Sequence, residues 1–312
     1  MNSILNQTYP ELELLMIDDR PEKDPSLNKL GDSRINWIKN QGKGLIHALN
    51  TGLAEAKGHF IARIDADDIS LPDRFEKQLK VLKSLPGSGA TACQASISGE
   101  YRSPGMERYL EWSNHLISSE QIKVNRFSGS PIIHPTLMAH KALFTAYGAY
   151  SLGDQPEDYE LWLRWLHHGV EIHKVPETLY QWRDHSGRLT RTDPRYQKLK
   201  FQQLKARYFD LWLNQTYDQA QLPLIYACGT GSNAKTISKA LLAVGVRIEA
   251  YFDLDYRNRT EFMGKPVYTY RNMPEYTNII LNMVGDLKGK TKVRNFCINQ
   301  GFTEGVNYFT FI

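Results

Sequence analysis

Residues 59–75 read HFIARIDADDISLPDRF, an apolar run that ends in carboxylates and is followed by a helical pattern. Composition predicts a strand over His59–Ile64 and a helix over Pro72–Leu85. Asp65 and Asp67 lie two residues apart, so extended backbone points them to one face. Such close charges repel unless a cation lies between them, and hard oxygen ligands suit Mg²⁺ or Mn²⁺. The alternative is a turn whose acids cap the following helix.

Strands and helices alternate on the N-terminal side of this stretch. The pattern predicts strands over Leu12–Ile17 and Ile35–Ile38 and a helix over Leu45–Ala56. This alternation favours a mostly parallel sheet covered by helices, with ligands beyond the carboxyl ends of the strands. Asp18 and Asp19 end the first predicted strand, either as ligand-binding groups or as a solvated strand end.

A second acidic pair opens a later helix. Glu157 and Asp158 begin a pattern that predicts an amphipathic helix over Pro156–His168. A carboxylate within reach of an acceptor hydroxyl can act as a general base. The alternative is a pair of acids favoured by the helix macrodipole, with Glu160 and Arg164 as an ion pair one turn apart.

A basic loop follows the next predicted strand. It contains Arg183, His185, Arg188 and Arg191. A guanidinium matches phosphate geometry with two parallel hydrogen bonds, and an imidazole can bind a metal. A solvated basic loop with a structural histidine is the alternative.

The pattern breaks near residues 218–222, and we place a domain boundary there, giving domains 1–218 and 219–312. The second domain begins with a predicted strand, a helix and a strand over Leu224–Cys228, Ala234–Val244 and Arg247–Phe252.

Gly229 and Gly231 lie between the first strand and the helix of this domain, and Asp253 follows the second strand. This pattern fits a glycine-rich nucleotide-binding loop, in which backbone N–H groups hold a phosphate. The alternative is a packing or oligomerisation module with a structural glycine turn. The segment holds about one mononucleotide-binding half, which disfavours a nicotinamide-dependent oxidoreductase.

Composition limits the class of protein. The chain has 312 residues, of which 41% are hydrophobic and 23% charged, so it is an ordinary globular protein with room for two domains. A net charge of +4 does not argue for nucleic-acid binding. Cys93, Cys228 and Cys297 are far apart and are expected to be reduced thiols. No signal peptide or membrane-spanning run is evident, which predicts a cytoplasmic protein.

Together these motifs resemble the family-2 glycosyltransferases, enzymes of the GT-A fold that transfer a sugar from a nucleotide diphosphate donor with inversion. The resembling blocks occur in the family's order over nearly all of residues 1–191. They are Ser3–Pro10, Ile17–Asp19, Gly44–Gly52, Asp65–Asp68, Pro72–Phe75 with Gln78, His134–Thr136, Glu157–Arg164 and Trp182–His185. The implied fold is α/β: a GT-A domain followed by a small Rossmann-like domain, which serves nucleotide binding or an accessory role.

The resemblance also implies roles for individual residues. Asp158, with Glu157 beside it, would be the catalytic base. Mg²⁺ or Mn²⁺ would be held by Asp67, Asp65 and His185. The donor-binding residues would be Asp18, Asp19, Gly44, Asn50, Asp65, Arg164 and Arg183.

The implied partners are a nucleotide-diphosphate sugar and a glycan or lipid-linked saccharide acceptor, as in bacterial surface polysaccharide or lipopolysaccharide biosynthesis. The basic aromatic helix predicted over Tyr196–Asn214 leaves two alternatives open, peripheral contact with the inner membrane surface and ordinary packing between domains. A homo-oligomer is also left open.

Two departures from the family pattern concern the donor site. Family members begin with an apolar strand, whereas this chain begins with the helical segment Asn2-Ser3-Ile4, so we expect that strand to be missing and a sheet edge to be unpaired. Asp19-Arg20-Pro21-Glu22 replaces a small turn that contains Gly and Ser. These departures keep open a catalytically impaired nucleotide-sugar-binding or scaffolding protein.

Overall fold

The computed structural model describes residues 1–20, 31–99, 101, 103–254, 259–273, 275 and 278–312. Pro21 and Glu22 of the unusual turn therefore lie outside the described residues. The chain forms two compact units, one of residues 1–119 and 132–193 and one of residues 120–131 and 194–312.

The helices and strands are numbered in chain order. The helices are α1 (Asn2–Leu5), α2 (Leu45–Glu55), α3 (Arg74–Ser84), α4 (Pro104–His115), α5 (Ser119–Val124), α6 (Lys141–Tyr147), α7 (Glu157–His167), α8 (Leu189–Thr192), α9 (Lys198–Thr216), α10 (Ser232–Ala243) and α11 (Leu287–Asn299). The strands are β1 (Leu14–Asp18), β2 (Ile35–Lys39), β3 (Phe60–Ala62), β4 (Ile69–Ser70), β5 (Ala90–Ser98), β6 (Met138–His140), β7 (Ile172–Arg183), β8 (Ile225–Cys228), β9 (Ala250–Asp253), β10 (Glu261–Phe262), β11 (Lys265–Thr269), β12 (Ile279–Asn282) and β13 (Tyr308–Thr310).

The first unit contains two sheets. β1 and β2 form a parallel pair, and a five-stranded sheet has the order β3-β6-β5-β7-β4. Only β5 and β7 are parallel within that larger sheet. The expected parallel pairing is present between β1 and β2 and between β5 and β7, whereas the other pairs of the larger sheet are antiparallel, so that sheet is mixed. The antiparallel strands β3, β4 and β6 are only two or three residues long, and such short strands carry almost no alternating pattern in the sequence.

The apolar face of α7 forms much of the core of the first unit. Tyr159, Trp162 and Trp165 are fully buried on it, as expected for an amphipathic helix that covers a sheet. Packing in the core holds this face of α7 in position. The N-terminal turn of α7, with its acidic pair, is therefore held in position as well.

The second unit has a six-stranded sheet of order β10-β11-β9-β8-β12-β13. All its pairings are parallel except that of β10 with β11. This order is that of a doubly wound sheet. Its five parallel strands exceed the single mononucleotide-binding half expected from the sequence.

The aromatic residues of α9 belong to the core of the second unit. Phe209 packs against Phe127, Phe309 and Phe311 at ring-centroid distances of 5.3–5.7 Å. The boundary between the compact units thus falls before α9, at 193/194, whereas the sequence places a domain boundary at 218/219. Among the described residues, no helix has the length and apolar character needed to cross a bilayer.

Candidate active site

The loop that follows β3 is held by its last carboxylate. Asp68 is 5% exposed; its Oδ2 accepts a hydrogen bond from the Tyr180 hydroxyl at 2.7 Å, and its Oδ1 accepts one from the backbone N–H of Arg183 at 2.7 Å. The backbone N–H of Asp65 donates to the same tyrosine oxygen at 3.3 Å. Burial raises the pKa of Asp68 to about 6. Asp68 therefore ties this loop to β7.

We expect Asp68→Ala to lower the free energy of unfolding by about 1–3 kcal/mol, because the buried Tyr180 hydroxyl and the partly buried N–H of Arg183 lose their acceptor, a loss that removal of the buried charge partly offsets. Urea denaturation at pH 7.5 measures the change. Asp73→Ala is the matched control, since that side chain is half exposed. Equal stability of the two variants would contradict the anchoring role.

Asp67 faces solvent beside the basic loop. Its Oδ2 lies 3.3 Å from Nε2 of His185, and the two side chains are 40% and 49% exposed. The structure thus brings together two of the three predicted metal ligands. The described residues contain no group of three His, Cys, Asp or Glu side chains arranged around a cation. A carboxylate and an imidazole fit a site that a bound diphosphate and water complete, which is how Mg²⁺ usually binds.

Arg63 is the residue that the sequence prediction missed. Its guanidinium pairs with Asp65 at 2.6 Å and is 10% exposed, while Asp65 is 32% exposed. Burial disfavours the charged form, but the Asp65 carboxylate outweighs it and raises the pKa of Arg63. Nη1 is buried and has no hydrogen-bond partner among the described residues. The sequence did contain an indication of this role, because Arg63 is a single cation within the apolar run that precedes the acids.

The acidic pair at the start of α7 lies in the same unit. Burial, together with the charge of Glu157, raises the pKa of half-buried Asp158 to about 7, while Arg63 acts in the opposite direction. Glu157 is 2% exposed, and its Oε1 lies 3.9 Å from Nδ1 of His134. Burial lowers the pKa of His134, so this imidazole is neutral. The Asp158 carboxylate therefore binds a proton more tightly than an ordinary aspartate does.

Two predicted donor-binding residues meet at the N-terminus of α2. The Asp19 carboxylate accepts hydrogen bonds from the side chain of Asn40 and from the backbone N–H of Gly44 at 3.2 Å. Gly44 has φ +84°, a conformation that favours glycine. Asp19 thus fixes the loop that precedes α2.

The other predicted donor residues of this region are engaged within the chain. Asp18 accepts hydrogen bonds from Arg20 at 2.7 Å and from Nε1 of Trp37 at 3.3 Å, and the bonds to Arg20 lower its pKa. Asn50 bonds through both side-chain atoms to the backbone of Tyr150, at 2.9 and 3.0 Å. Their contact with a donor stays a prediction.

The predicted donor contacts of two arginines also stay predictions. The Arg164 guanidinium is occupied by Glu160 and by the carbonyl oxygens of residues 147–149. The backbone N–H of Arg183 donates a hydrogen bond to Asp68, and the Arg183 side chain is exposed.

Arg188 lies over the ring of Trp182 at 3.9 Å from the centroid. Burial lowers its pKa, while the carboxylates of Asp68, Asp65, Asp184 and Asp67 oppose that change. Arg188 is thus a cation held close to the loop after β3, whereas Arg191 is paired with buried Asp184 at 2.7 Å.

The predicted nucleotide loop of the second unit has the expected backbone. Gly229 has φ +99°, and α10 begins directly after Gly231. Asp253, 6% exposed, accepts hydrogen bonds from the backbone N–H of Thr230 at 3.0 Å and from its hydroxyl. The acid and the loop are thus adjacent, and the predicted contact of both with a nucleotide stays a prediction.

Known proteins are similar to this chain over most of the first unit. Residues 1–147 match the family model described as Glycosyl transferase family 2. The O-antigen biosynthesis glycosyltransferase WbnJ of Escherichia coli is 31% identical over 195 residues, which cover 60% of this chain and 73% of WbnJ. The chain therefore belongs to glycosyltransferase family 2 and is a glycosyltransferase.

Two further similarities were found. The protein named UDP-Glc:alpha-D-GlcNAc-diphosphoundecaprenol beta-1,3-glucosyltransferase WfaP, also of Escherichia coli, is 26% identical over 60% of this chain and 71% of its own length. The structure of S. aureus TarS residues 1–349 in complex with UDP-GlcNAc superposes with a TM-score of 0.52 at 14% identity, over 78% of this chain and 66% of that chain. This likeness confirms the predicted GT-A fold.

Proposed function

We propose that the chain transfers a hexose from a nucleotide-diphosphate sugar to a hydroxyl of a surface-polysaccharide precursor, with inversion at the anomeric carbon. The observation that carries the proposal is the position of Arg63. It pairs with Asp65 of the loop after β3, and its charge partly offsets the rise in the pKa of Asp158 that burial and Glu157 cause at the start of α7. One buried cation thus links the loop predicted to hold the diphosphate to the carboxylate predicted to take the acceptor proton.

Asp158 acts as the general base. It accepts the proton of the acceptor hydroxyl while the acceptor oxygen bonds to the anomeric carbon and the bond from that carbon to the diphosphate breaks. A pKa of about 7 keeps Asp158 largely ionised just above neutrality and makes it a stronger base than an ordinary carboxylate. One carboxylate suffices, because inversion is a single displacement.

Mg²⁺ or Mn²⁺ would be held by Asp67, with Asp65 and His185 beside it. When bound, the metal neutralises charge on the departing diphosphate. Arg188 supplies a further cation at the same loop, because its charge already interacts with Asp65 and Asp67. Asp19 and Gly44 shape the pocket for the nucleotide.

The names of the relatives support the substrate class. WbnJ is named for O-antigen biosynthesis, and WfaP is named for transfer from UDP-Glc to a diphosphoundecaprenol-linked sugar with a β-linkage. A lipid-linked acceptor would bring this chain to the inner face of the membrane. The aromatic side chains of Tyr208 and Phe209 on α9 are buried, so these two rings would not contact lipid.

A thermal-shift panel of UDP-, GDP-, dTDP- and CMP-sugars, with and without Mn²⁺, tests the donor site. Ligand at about 100 times its Kd stabilises a folded protein by about 2.7 kcal/mol. We expect one nucleotide class to raise Tm only with Mn²⁺, and Asp67→Ala to abolish that rise.

Asp73→Ala, at an exposed position of the same region, should keep the full shift. No shift with any donor in the folded wild-type chain would refute the donor site and favour the non-catalytic scaffolding alternative.

A further inference from the structure

The strand order of the second unit reverses at β8. β8 lies between β9 and β12, and all three are parallel. Ligands of doubly wound sheets bind at such a point, beyond the carboxyl ends of the strands. The loops after β8 and β12 approach closely, because a Cβ atom on Gly285 would lie 2.3 Å from Nδ2 of Asn233.

One face of α9 carries polar groups toward this region. Lys198, Gln202 and Lys205 are four and three residues apart and so share a helix face. The ammonium group of Lys198 donates to the side-chain oxygen of Asn233 in the first turn of α10. α9 also packs against α10. This polar face therefore lies beside the loop that follows β8.

The lysines here form a cluster of like charge. Lys205 is 3% exposed and donates to the carbonyl oxygens of Ser128 and Phe311 at 3.2 and 3.1 Å. Burial, followed by the charges of Lys290 and Lys198, lowers its pKa to about 7. Lys290 in turn donates to the main-chain oxygen of Ile312 at 3.2 Å. The oxygens that accept hydrogen bonds from Lys198 and Lys205 belong to neutral amide groups, so an anion beside these two lysines would relieve the mutual repulsion.

The acids that end β9 and follow β12 already bind their own loops. Asp253 is bonded to Thr230, and Asp286 accepts the backbone N–H of Gly289 at 2.6 Å. In contrast, no described side chain caps the first turn of α10. Free N–H groups at such a helix end favour an anion.

Gln202 provides a separate indication of a ligand. It is 5% exposed, and its Oε1 atom is buried without a hydrogen-bond partner among the described residues. Buried polar atoms are nearly always satisfied, so an orphaned acceptor needs an explanation. Gln202 lies between Lys198 and Lys205 on one helix face. If these lysines bind the phosphate of a ligand, a neighbouring hydroxyl of that ligand could donate a hydrogen bond to Gln202.

We propose that Lys198, Lys205 and Lys290, with the N-terminus of α10, bind the diphosphate group of a small ligand, and that Gln202 accepts a hydrogen bond from a hydroxyl attached to it. This site belongs to the second unit alone and does not depend on the donor site of the first. The ligand class is a nucleoside diphosphate or a nucleotide sugar.

Calorimetric titration of the full chain with inorganic pyrophosphate and with UDP, in EDTA, tests the site. EDTA removes the metal on which the proposed donor site depends, so binding there does not contribute. We expect Lys198→Ala and Lys205→Met to weaken pyrophosphate binding at least about tenfold each, the loss of about one charged contact. Lys239→Ala, an exposed lysine farther along α10, is the matched control and should stay within about twofold.

Gln202→Leu should weaken UDP binding about fivefold or more and leave pyrophosphate binding unchanged, because only UDP carries ribose hydroxyl groups. Asp67→Ala should bind both probes like the wild-type chain. The proposal is wrong if the wild-type chain binds neither probe, or if Lys198→Ala and Lys239→Ala bind equally. Lys198 is exposed, so its variant keeps the test valid even if Lys205→Met does not fold.

Discussion

Asp158→Asn is expected to lower kcat by about 10²–10⁴-fold, the usual contribution of a general base, and to leave the donor-induced thermal shift intact. The amide keeps the shape of the carboxylate and its hydrogen bond from the backbone N–H of Tyr159, which is 2.7 Å long. The variant therefore removes the proton acceptor without disturbing the start of α7. Initial rates of transfer to a synthetic acceptor measure the loss.

The pH profile gives a second measure of the same residue. Burial and Glu157 raise the pKa of Asp158 to about 7, so the base is protonated and inactive below that pH. The kcat/KM of the wild-type chain should fall about tenfold per pH unit below neutrality and level off above it. Because Glu157 is adjacent, the profile reports the pair.

Asp73→Asn makes the same chemical change at an exposed position and should retain wild-type kcat. A kcat within threefold of wild type for Asp158→Asn would exclude Asp158 as the base.

Arg63→Met is expected to lower kcat/KM at pH 7 by at least about 100-fold, through two separate effects. The loop after β3 loses the cation that pairs with Asp65, which weakens the stabilisation of the departing diphosphate. The carboxylate of Asp158 also loses a positive charge that lowers its pKa. Its pKa should rise further, so the acidic limb of the profile moves to higher pH.

The shift of that limb distinguishes Arg63 from a purely structural residue, because a packing defect lowers the rate at every pH. Met keeps an apolar stem at this largely buried position. Arg63→Lys preserves the charge and should restore the wild-type position of the limb, although the lysine lacks the fork that fits Asp65. An unchanged pH profile in Arg63→Met would show that the charge of Arg63 does not reach Asp158.

Several elements could be predicted from the sequence because their signals are local. Helix α2 and helix α7 end within a residue of the expected bounds, since apolar spacing and terminal residues define a helix over few positions. The glycine turn after β8 was also predictable, because the positive φ of Gly229 suits glycine. The nine-residue strand β5 was not predicted, because its partners β6 and β7 lie far along the chain.

By itself, the sequence determined the family, the order of the blocks that resemble it and the acids that follow β1 and β3, because these are properties of residue type and spacing. Only the tertiary structure decided which charges interact. Arg63 and Asp158 lie 95 positions apart in the sequence. Helix α9, which the sequence assigned to the first domain, packs its aromatic face into the core of the second unit. Charge coupling and burial depend on distances in space between residues remote in sequence, which no local pattern contains.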